Sequence, residues 1–390
     1  MNRKIKVAFF AEMLVKDFDG AARTMFQLID RIPSDRFEFM FFCGTGPEPD
    51  FPYPYKVIPS IKIPKNEDYR LALHILALLP LHIDLREFMP DVIHISTPSF
   101  LGRFALDYGH SHNIPIITIY HTHFISYIDY YFSKFPPLAH LIKNFVINRN
   151  KSFYDKCALV YIPSPSLASE LESYHFQTSG FKIWRRGLNT SVFTPTNKDE
   201  NLFKIYHDQG LKIILFASRI VWEKNLSTLI EVYKMSEREN LPYHFVVVGD
   251  GVAKEEIQHE MPNATFPGNL SHTDLCKYYA SADVFLFPSD TETFGNVVVE
   301  AMASALPCVV ADAGGPRDLV DHGVTGFRCV PHDAESYLKA LSTILNDADL
   351  RENIVQKGLQ FAKSMDWKLL ADEYFSDIES LAGQSKLVMA

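Results

Sequence analysis

Short apolar runs alternate with longer stretches of helical periodicity along the whole chain. In the first half, residues 5–11, 37–42, 91–95, 114–120 and 159–162 are dense in aliphatic and aromatic side chains and predict strands. Residues 21–31 and 101–110 predict helices between them. The pattern restarts in the second half, where 212–217, 243–248, 283–288 and 307–311 predict strands. Each is followed by a helix-like stretch, such as 226–236 with Leu226, Leu229, Ile230 and Tyr233 on one face. Such alternation predicts the α/β class, with parallel sheets under covering helices. The polar, Gly- and Pro-containing stretch 185–195, followed by the polar run 197–200, predicts a hinge between two domains. Two doubly wound sheets facing one another would place a ligand in the cleft, at the carboxyl ends of the strands. The tail beyond Asp366 is amphipathic, with Trp367, Leu370, Tyr374 and Ile378 at helical spacing. His74, Pro80, His82 and Asp84 interrupt any membrane span over residues 71–85, which predict a buried helix ending near Pro80, with an interfacial segment as the alternative.

Size and composition narrow the function. A chain of 390 residues with 47% hydrophobic content suits two domains, each with its own core. A net charge of −9 argues against a dedicated nucleic-acid binder. The five cysteines are scattered, with no Cys-x-x-Cys pair, which predicts a reducing cytoplasm and neither a disulfide framework nor a zinc site. Residues 1–10 run straight into a strand, without a signal peptide's apolar region and cleavage site. Against the acidic background, 134–156 stands out. Lys134, Lys143, Arg149, Lys151 and Lys156 face only Asp155, interleaved with Leu138, Leu141, Phe145 and other apolar residues. Such a face can rest on an anionic membrane; a solvated helix packed on the core is the alternative.

The candidate chemistry is concentrated at predicted strand ends. Glu292 and Glu300 flank Phe294-Gly295-Asn296, where the strand 283–288 gives way to a buried helix, 296–305. A Gly-containing turn at a helix start makes an anion site, because the first-turn amides lack intrahelical partners. Carboxylates there suit sugar and ribose hydroxyls, since phosphate would repel them. Arg219 and Lys224 place two cations in the loop after the strand 212–217, suiting a diphosphate leaving group. Gly249-Asp250-Gly251 closes the next strand without the spacing G-x-G-x-x-G, which removes support for a nicotinamide cofactor. His121 and His123 share one face of a strand end, but no third metal ligand is evident.

These motifs, in this order, resemble those of the retaining family 4 glycosyltransferases (glycosyl transferases group 1). The resemblance runs from Gly20 to the tail and is strongest from Arg186 to Phe327. It is weakest over 51–89, where acceptor recognition would reside. It implies the GT-B architecture, an α/β fold of two Rossmann-like doubly wound domains facing a central cleft. Residues 1–188 would bind the acceptor, with the C-terminal helix 367–385 packed back on them, and 189–366 would bind a nucleotide sugar. The donor would contact Gly20, Arg219, Lys224, Gly249, Asp250, Leu270, Glu292, Phe294, Gly295, Asn296 and Glu300. Catalysis would rest on His121, Arg219, Lys224 and Glu292, with His123 and Tyr127 on the acceptor side. The family usually has two adjacent glycines where this chain has Gly20-Ala21, a departure in the loop that approaches the leaving phosphate. The segment 266–270 resembles one whose backbone faces the base, and 312–316 a structural turn.

The implied reaction moves a hexose, from a UDP-hexose or alternatively GDP-mannose, to a hydroxyl of a membrane lipid or glycolipid. The acceptor attacks on the leaving-group face and the departing phosphate takes its proton. No metal or other cofactor is expected, because Arg219 and Lys224 supply the charge. The implied setting is cytoplasmic, peripheral on the inner face of the cell membrane. The rivals are a sugar-nucleotide epimerase of the same fold, a glycosyltransferase with a soluble glycan acceptor, and a non-catalytic nucleotide-sugar binder.

Overall fold

In a computed structural model, the chain is described over residues 3–389 except 17, 19, 64–65, 122–124, 126–127 and 129–135. It divides into two compact units, residues 1–184 with 368–390, and residues 185–367.

The first unit contains β1 (Ile5–Met13), α1 (Gly20–Ile29), β2 (Phe37–Thr45), β3 (Tyr55–Val57), β4 (Ser60–Ile63), β5 (Asn66–Ala72) and α2 (Leu78–Phe88). These are followed by β6 (Val92–Ile95), α3 (Phe100–Ser111), β7 (Ile116–Ile119), α4 (Pro136–Tyr154), β8 (Leu159–Ile162), α5 (Pro165–Ser173) and β9 (Phe181–Ile183). Seven strands form a parallel sheet in the order β3-β2-β1-β6-β7-β8-β9. The strands β6 and β7 are buried throughout, because helices cover both faces. Alternate side chains divide those faces. Ala8, Phe10, Ile93 and Ile95 join Leu81 and Leu85 of α2, Leu101 and Phe104 of α3, Phe153 of α4 and Leu171 of α5. On the other face the C-terminal helix Trp367–Met389 docks, with Phe375 against Phe37 (5.2 Å) and the Tyr374 hydroxyl 2.9 Å from His94 Nδ1. Tyr161 donates to Asp377 at 2.5 Å, and Lys182 reaches both Asp377 (2.6 Å) and Glu373 (2.9 Å). The amphipathic spacing of the tail is thereby accounted for: Trp367, Tyr374 and Ile378 are buried.

The second unit contains α6 (Lys204–His207), β10 (Lys212–Ala217), α7 (Leu226–Arg238), β11 (Tyr243–Val248), α8 (Lys254–Glu260), β12 (Thr265–Gly268) and α9 (His272–Ser281). The chain continues through β13 (Val284–Phe287), α10 (Asn296–Ala303), β14 (Cys308–Ala311), α11 (Gly314–Leu319), β15 (Gly326–Cys329), α12 (Ala334–Asn346) and α13 (Ala348–Lys363). Its six strands are parallel, in the order β12-β11-β10-β13-β14-β15. Successive strands leave β10 first one way and then the other. The adjacent ends of β10 and β13 are therefore the topological switch point, where doubly wound sheets hold their ligands. The chain's entry to and exit from this unit run side by side: Leu188 N–H donates to Met365 O at 2.7 Å, and Gly187 lies so close to Trp367 that a Cβ would fall 2.4 Å from its ring.

The segment 71–85 departs from its reading as a buried helix ending near Pro80. Residues 71–72 end β5, a 3-10 turn spans His74–Ala77, and α2 runs from Leu78 through Pro80 to Phe88. Pro80 is tolerated because it lies in the first turn, where its missing N–H has no acceptor to lose. Only Leu81, Leu85 and Phe88 of that helix are buried, while Ile75, Leu76, Leu79 and Ile83 are exposed.

Candidate functional site

Two loops leaving the switch point make direct contact. After β10 the chain crosses Ser218-Arg219-Ile220, makes a 3-10 turn over Trp222–Lys224, and passes through left-handed Asn225 (φ 54°) into α7. Asn225 suits that conformation, since its short polar side chain satisfies local hydrogen bonds. Lys224 is thereby turned inward: its side chain is 5% exposed and its Nζ lies 2.6 Å from Glu292 Oε1, in the loop after β13. Arg219 stays exposed, 3.8 Å from the buried Glu223 carboxylate. The two cations thus differ: one is neutralised within the protein, the other is presented to solvent. Burial acts to raise the Glu292 carboxyl, but the Lys224 ion pair and hydrogen bond, helped by Arg186 and Arg219, hold it below its ordinary value.

The glycine turns are supports for these loops. Gly249 (φ 136°) and Gly251 (φ 156°) press against the backbone of the Arg219 loop; a Cβ on either would fall 1.9 Å from Ser218 O or 2.3 Å from Ile220 O. Ile220 N–H donates to Asp250 O (2.8 Å) and Ala253 N–H to Ile220 O (3.1 Å). The Asp250 carboxylate points elsewhere, to Lys254 at 3.0 Å and the Gly251 amide at 2.8 Å. Gly314 and Gly315 do the same beneath the second loop, where Gly315 N–H donates to Glu292 O at 2.7 Å. Gly295 (φ 94°) supplies the left-handed residue that starts α10. Phe294 is buried as the anchor of that turn, and Asn296 opens the helix half-buried. Glu300 lies further along α10, where Tyr279 donates to its Oε2 at 3.2 Å. Leu270, just past β12, is half-buried against the unit's core.

In the first unit, Gly20 is the first residue of α1, and its carbonyl accepts from the Thr24 hydroxyl at 3.0 Å. His121 is buried just past the end of β7. His123, Tyr127, Lys134 and Phe135 lie outside the described residues. Helix α4 carries most of the basic and apolar segment; Leu141 and Phe145 are 68% and 64% exposed. Arg149 lies over the exposed ring of Phe100, 5.4 Å from its centroid.

Sequence reasoning missed the residues that lock the two loops together. Asn225 Nδ2 donates to Pro288 O (3.1 Å), Thr291 Oγ1 donates to Glu223 O (2.8 Å), and His332 bridges Asn225 Oδ1 and Asp290 Oδ2, each at 3.1 Å. Arg186, read only as part of the hinge, acts on Glu292. The one local signal was Asn225 beside Lys224; His332 lies 107 residues further along the chain.

Two doubly wound parallel units, with a buried lysine–glutamate pair at the second unit's switch point, define a GT-B glycosyltransferase. The chain belongs to the group 1 glycosyltransferases of the family 4 type. Residues 18–192 match the family model "Glycosyltransferase Family 4" and residues 197–361 match "Glycosyl transferases group 1". The chain is 31% identical over 383 residues to the sulfoquinovosyl transferase SQD2 of Arabidopsis thaliana, covering 94% of this chain and 72% of that protein. It is 27% identical over 390 residues to a GDP-mannose-dependent alpha-mannosyltransferase of Mycolicibacterium smegmatis, covering 98% and 99%. An alpha-monoglucosyldiacylglycerol synthase of Streptococcus pneumoniae is 22% identical over 387 residues, 96% of this chain and 86% of that protein. The crystal structure of Anabaena HepE with UDP and glucose superposes with a TM-score of 0.71 at 19% identity, over 96% of this chain and all of that one. At that identity the likeness establishes the fold alone. The chain is accordingly a nucleotide-sugar glycosyltransferase. Among the described residues, no helix is long and apolar enough to cross a membrane.

Proposed function

We propose that the protein is a retaining hexosyltransferase that needs no metal and acts on a hydroxyl of a membrane lipid or glycolipid. The observation that carries this reading is the 2.6 Å Lys224–Glu292 pair at the switch point, with Arg219 and Arg186 acting on the same carboxylate. One carboxylate among three cations suits a ligand that brings both hydroxyls and a diphosphate. In this reading Glu292 accepts from hexose hydroxyls and Glu300 from the ribose. Arg219, Lys224 and the first-turn amides of α10 take the diphosphate. Gly20 and His121 of the first unit serve the leaving phosphate and the sugar. The bond from the anomeric carbon to the phosphate oxygen breaks and one to the acceptor oxygen forms on the same face. The acceptor's proton passes to the departing phosphate, leaving a nucleoside diphosphate and a glycoside. The protein contributes positioning and charge stabilisation.

The motif resemblance favours a UDP-hexose, whereas the Mycolicibacterium relative that matches almost end to end is named for GDP-mannose, so both head the donor panel. A lipid acceptor is supported by the S. pneumoniae relative's name and by the surface of the first unit. Leu138, Leu141 and Phe145 of α4, Phe100 of α3, and Ile75, Leu76 and Leu79 are all exposed there. Lys143 and Arg149 accompany them on an otherwise acidic chain. Such basic and apolar residues fit anionic lipid and support a peripheral association with a membrane. The test is a thermal-shift panel of UDP, GDP and ADP sugars with EDTA present. One family of donors should raise the melting temperature, since a ligand that binds only the folded state stabilises it. No shift with any donor unless magnesium is restored would overturn the metal-free reading. Release of a new hexose from donor alone would favour the epimerase.

A further inference from the structure

The Lys224 and Glu292 loops are also bridged by His332, which neither strand-end loop contains. His332 sits in the turn between β15 and α12 with a left-handed backbone, φ 64°. Glycine enters that region freely; residues with a side chain do so seldom, histidine more often than most. The side-chain contacts of His332 help to hold it there. Nδ1 lies 3.1 Å from Asn225 Oδ1, and Nε2 lies 3.1 Å from Asp290 Oδ2. Asn225 adjoins Lys224, and Asp290 lies two residues before Glu292.

The hydrogen-bond network fixes which atoms donate. Asn225 Nδ2 gives its proton to Pro288 O, and Oδ1 already accepts from the hydroxyls of Ser227 (3.1 Å) and Thr228 (2.9 Å). His332 Nδ1 therefore faces an acceptor and must carry a proton. Nε2 lies beside the Asp290 carboxylate at ion-pair distance, 3.1 Å. The other ionisable groups on the surrounding elements are Asp333, which caps α12, Asp312, paired with Arg317 and Arg328, and the buried Tyr337.

We propose that His332 is a positioning residue: its side chain staples the loop after β10 to the loop after β13 and so pre-assembles the Lys224–Glu292 pair. This rests on the reading of that pair as the donor site. The staple is the contact of the His332 side chain with both loops. Without it, donor binding must itself order the two loops, which raises the donor KM and leaves kcat nearly unchanged, because the bound geometry is the same.

The decisive variant is His332→Gly, which removes the staple and relieves the backbone. Its Tm should equal or exceed that of the wild type, while the donor KM rises about three- to fivefold, the scale of a partly exposed ion pair. His332→Gln, which can reach only one partner, should give a donor KM between those of the wild type and His332→Gly. Ring 15N shifts of His332, read without any substrate, should show Nδ1 carrying a proton. A variant with the wild-type KM, or a ring whose Nδ1 is bare, would overturn the proposal. If instead Lys224→Met keeps full turnover, the donor-site reading fails, while the ring shifts still judge the staple.

Discussion

Replacing Lys224 by methionine should separate what the ion pair does for stability from what it does for chemistry. The lysine side chain is 5% exposed and the Glu292 side chain 23%, so removing the ammonium strands a mostly buried carboxylate. Breaking a buried pair from one side costs about 3–5 kcal/mol. Arg186 and Arg219 still act on Glu292, which lowers the expected loss to about 2–3 kcal/mol. In a unit of this size that corresponds to a fall of roughly 5–10 °C in melting temperature. The pH dependence has a definite sign. In the wild type the Glu292 carboxyl is depressed in the folded state, so its contribution is present above the unfolded value and is lost as pH falls through the folded one. In the variant burial dominates and raises the carboxyl, so the penalty is greatest at neutral pH and shrinks as pH falls. The double variant K224M/E292Q leaves no stranded charge and should regain most of the lost stability. It should nevertheless stay inactive. Calorimetry of the ligand-free proteins from about pH 7.5 down to about pH 5 reads all three outcomes. A K224M protein as stable as the wild type would show that the ammonium does not stabilise the Glu292 carboxylate. So would a double variant as unstable as the single one, or a gap that widens in acid.

Glu300→Ala should weaken nucleoside diphosphate binding by about 1–3 kcal/mol in titration calorimetry, through lost ribose contacts; unchanged affinity would remove it from the site. Arg219→Ala should cut turnover about a hundredfold or more with little change in melting temperature, because its side chain is 65% exposed and stabilises charge in the transition state more than the fold. His121→Ala should lower kcat more than nucleotide affinity, and a wild-type kcat would exclude it. Exchanging Lys134, Lys143 and Arg149 for glutamine should sharply reduce co-sedimentation with anionic vesicles while leaving donor binding intact, and wild-type indifference to such vesicles at low salt would favour a soluble acceptor.

The parts of this molecule governed by local pattern were legible in the chain. Strands such as 212–217 and 243–248 are buried on both faces, so their apolar runs are unbroken and their ends, with the motifs they carry, are easily placed. The edges were harder. Strand β3 is exposed at every position and β15 is a short run of Gly-Phe-Arg-Cys, so neither has an apolar signature. The segment 71–85 misled because its hydrophobicity predicts burial, whereas Ile75, Leu76 and Leu79 face solvent. In the site, Arg219, Lys224 and Glu292 stood in recognisable strand-end loops. The division of labour between the cations, one buried and one exposed, follows from the left-handed turn at Asn225. The His332 bridge depends on tertiary contacts across distant strand ends, which no spacing encodes.

Lys224 and Glu292 are proposed to mark the donor site of a retaining transfer. The most direct measurement follows one reaction by proton NMR, with the responding nucleotide sugar and a lipid extract dispersed in anionic vesicles. The wild type should release nucleoside diphosphate only with acceptor present and form a glycoside with the donor's anomeric configuration, while the stable K224M/E292Q protein should do neither. An inverted product, or undiminished release by the double variant, would contradict the account.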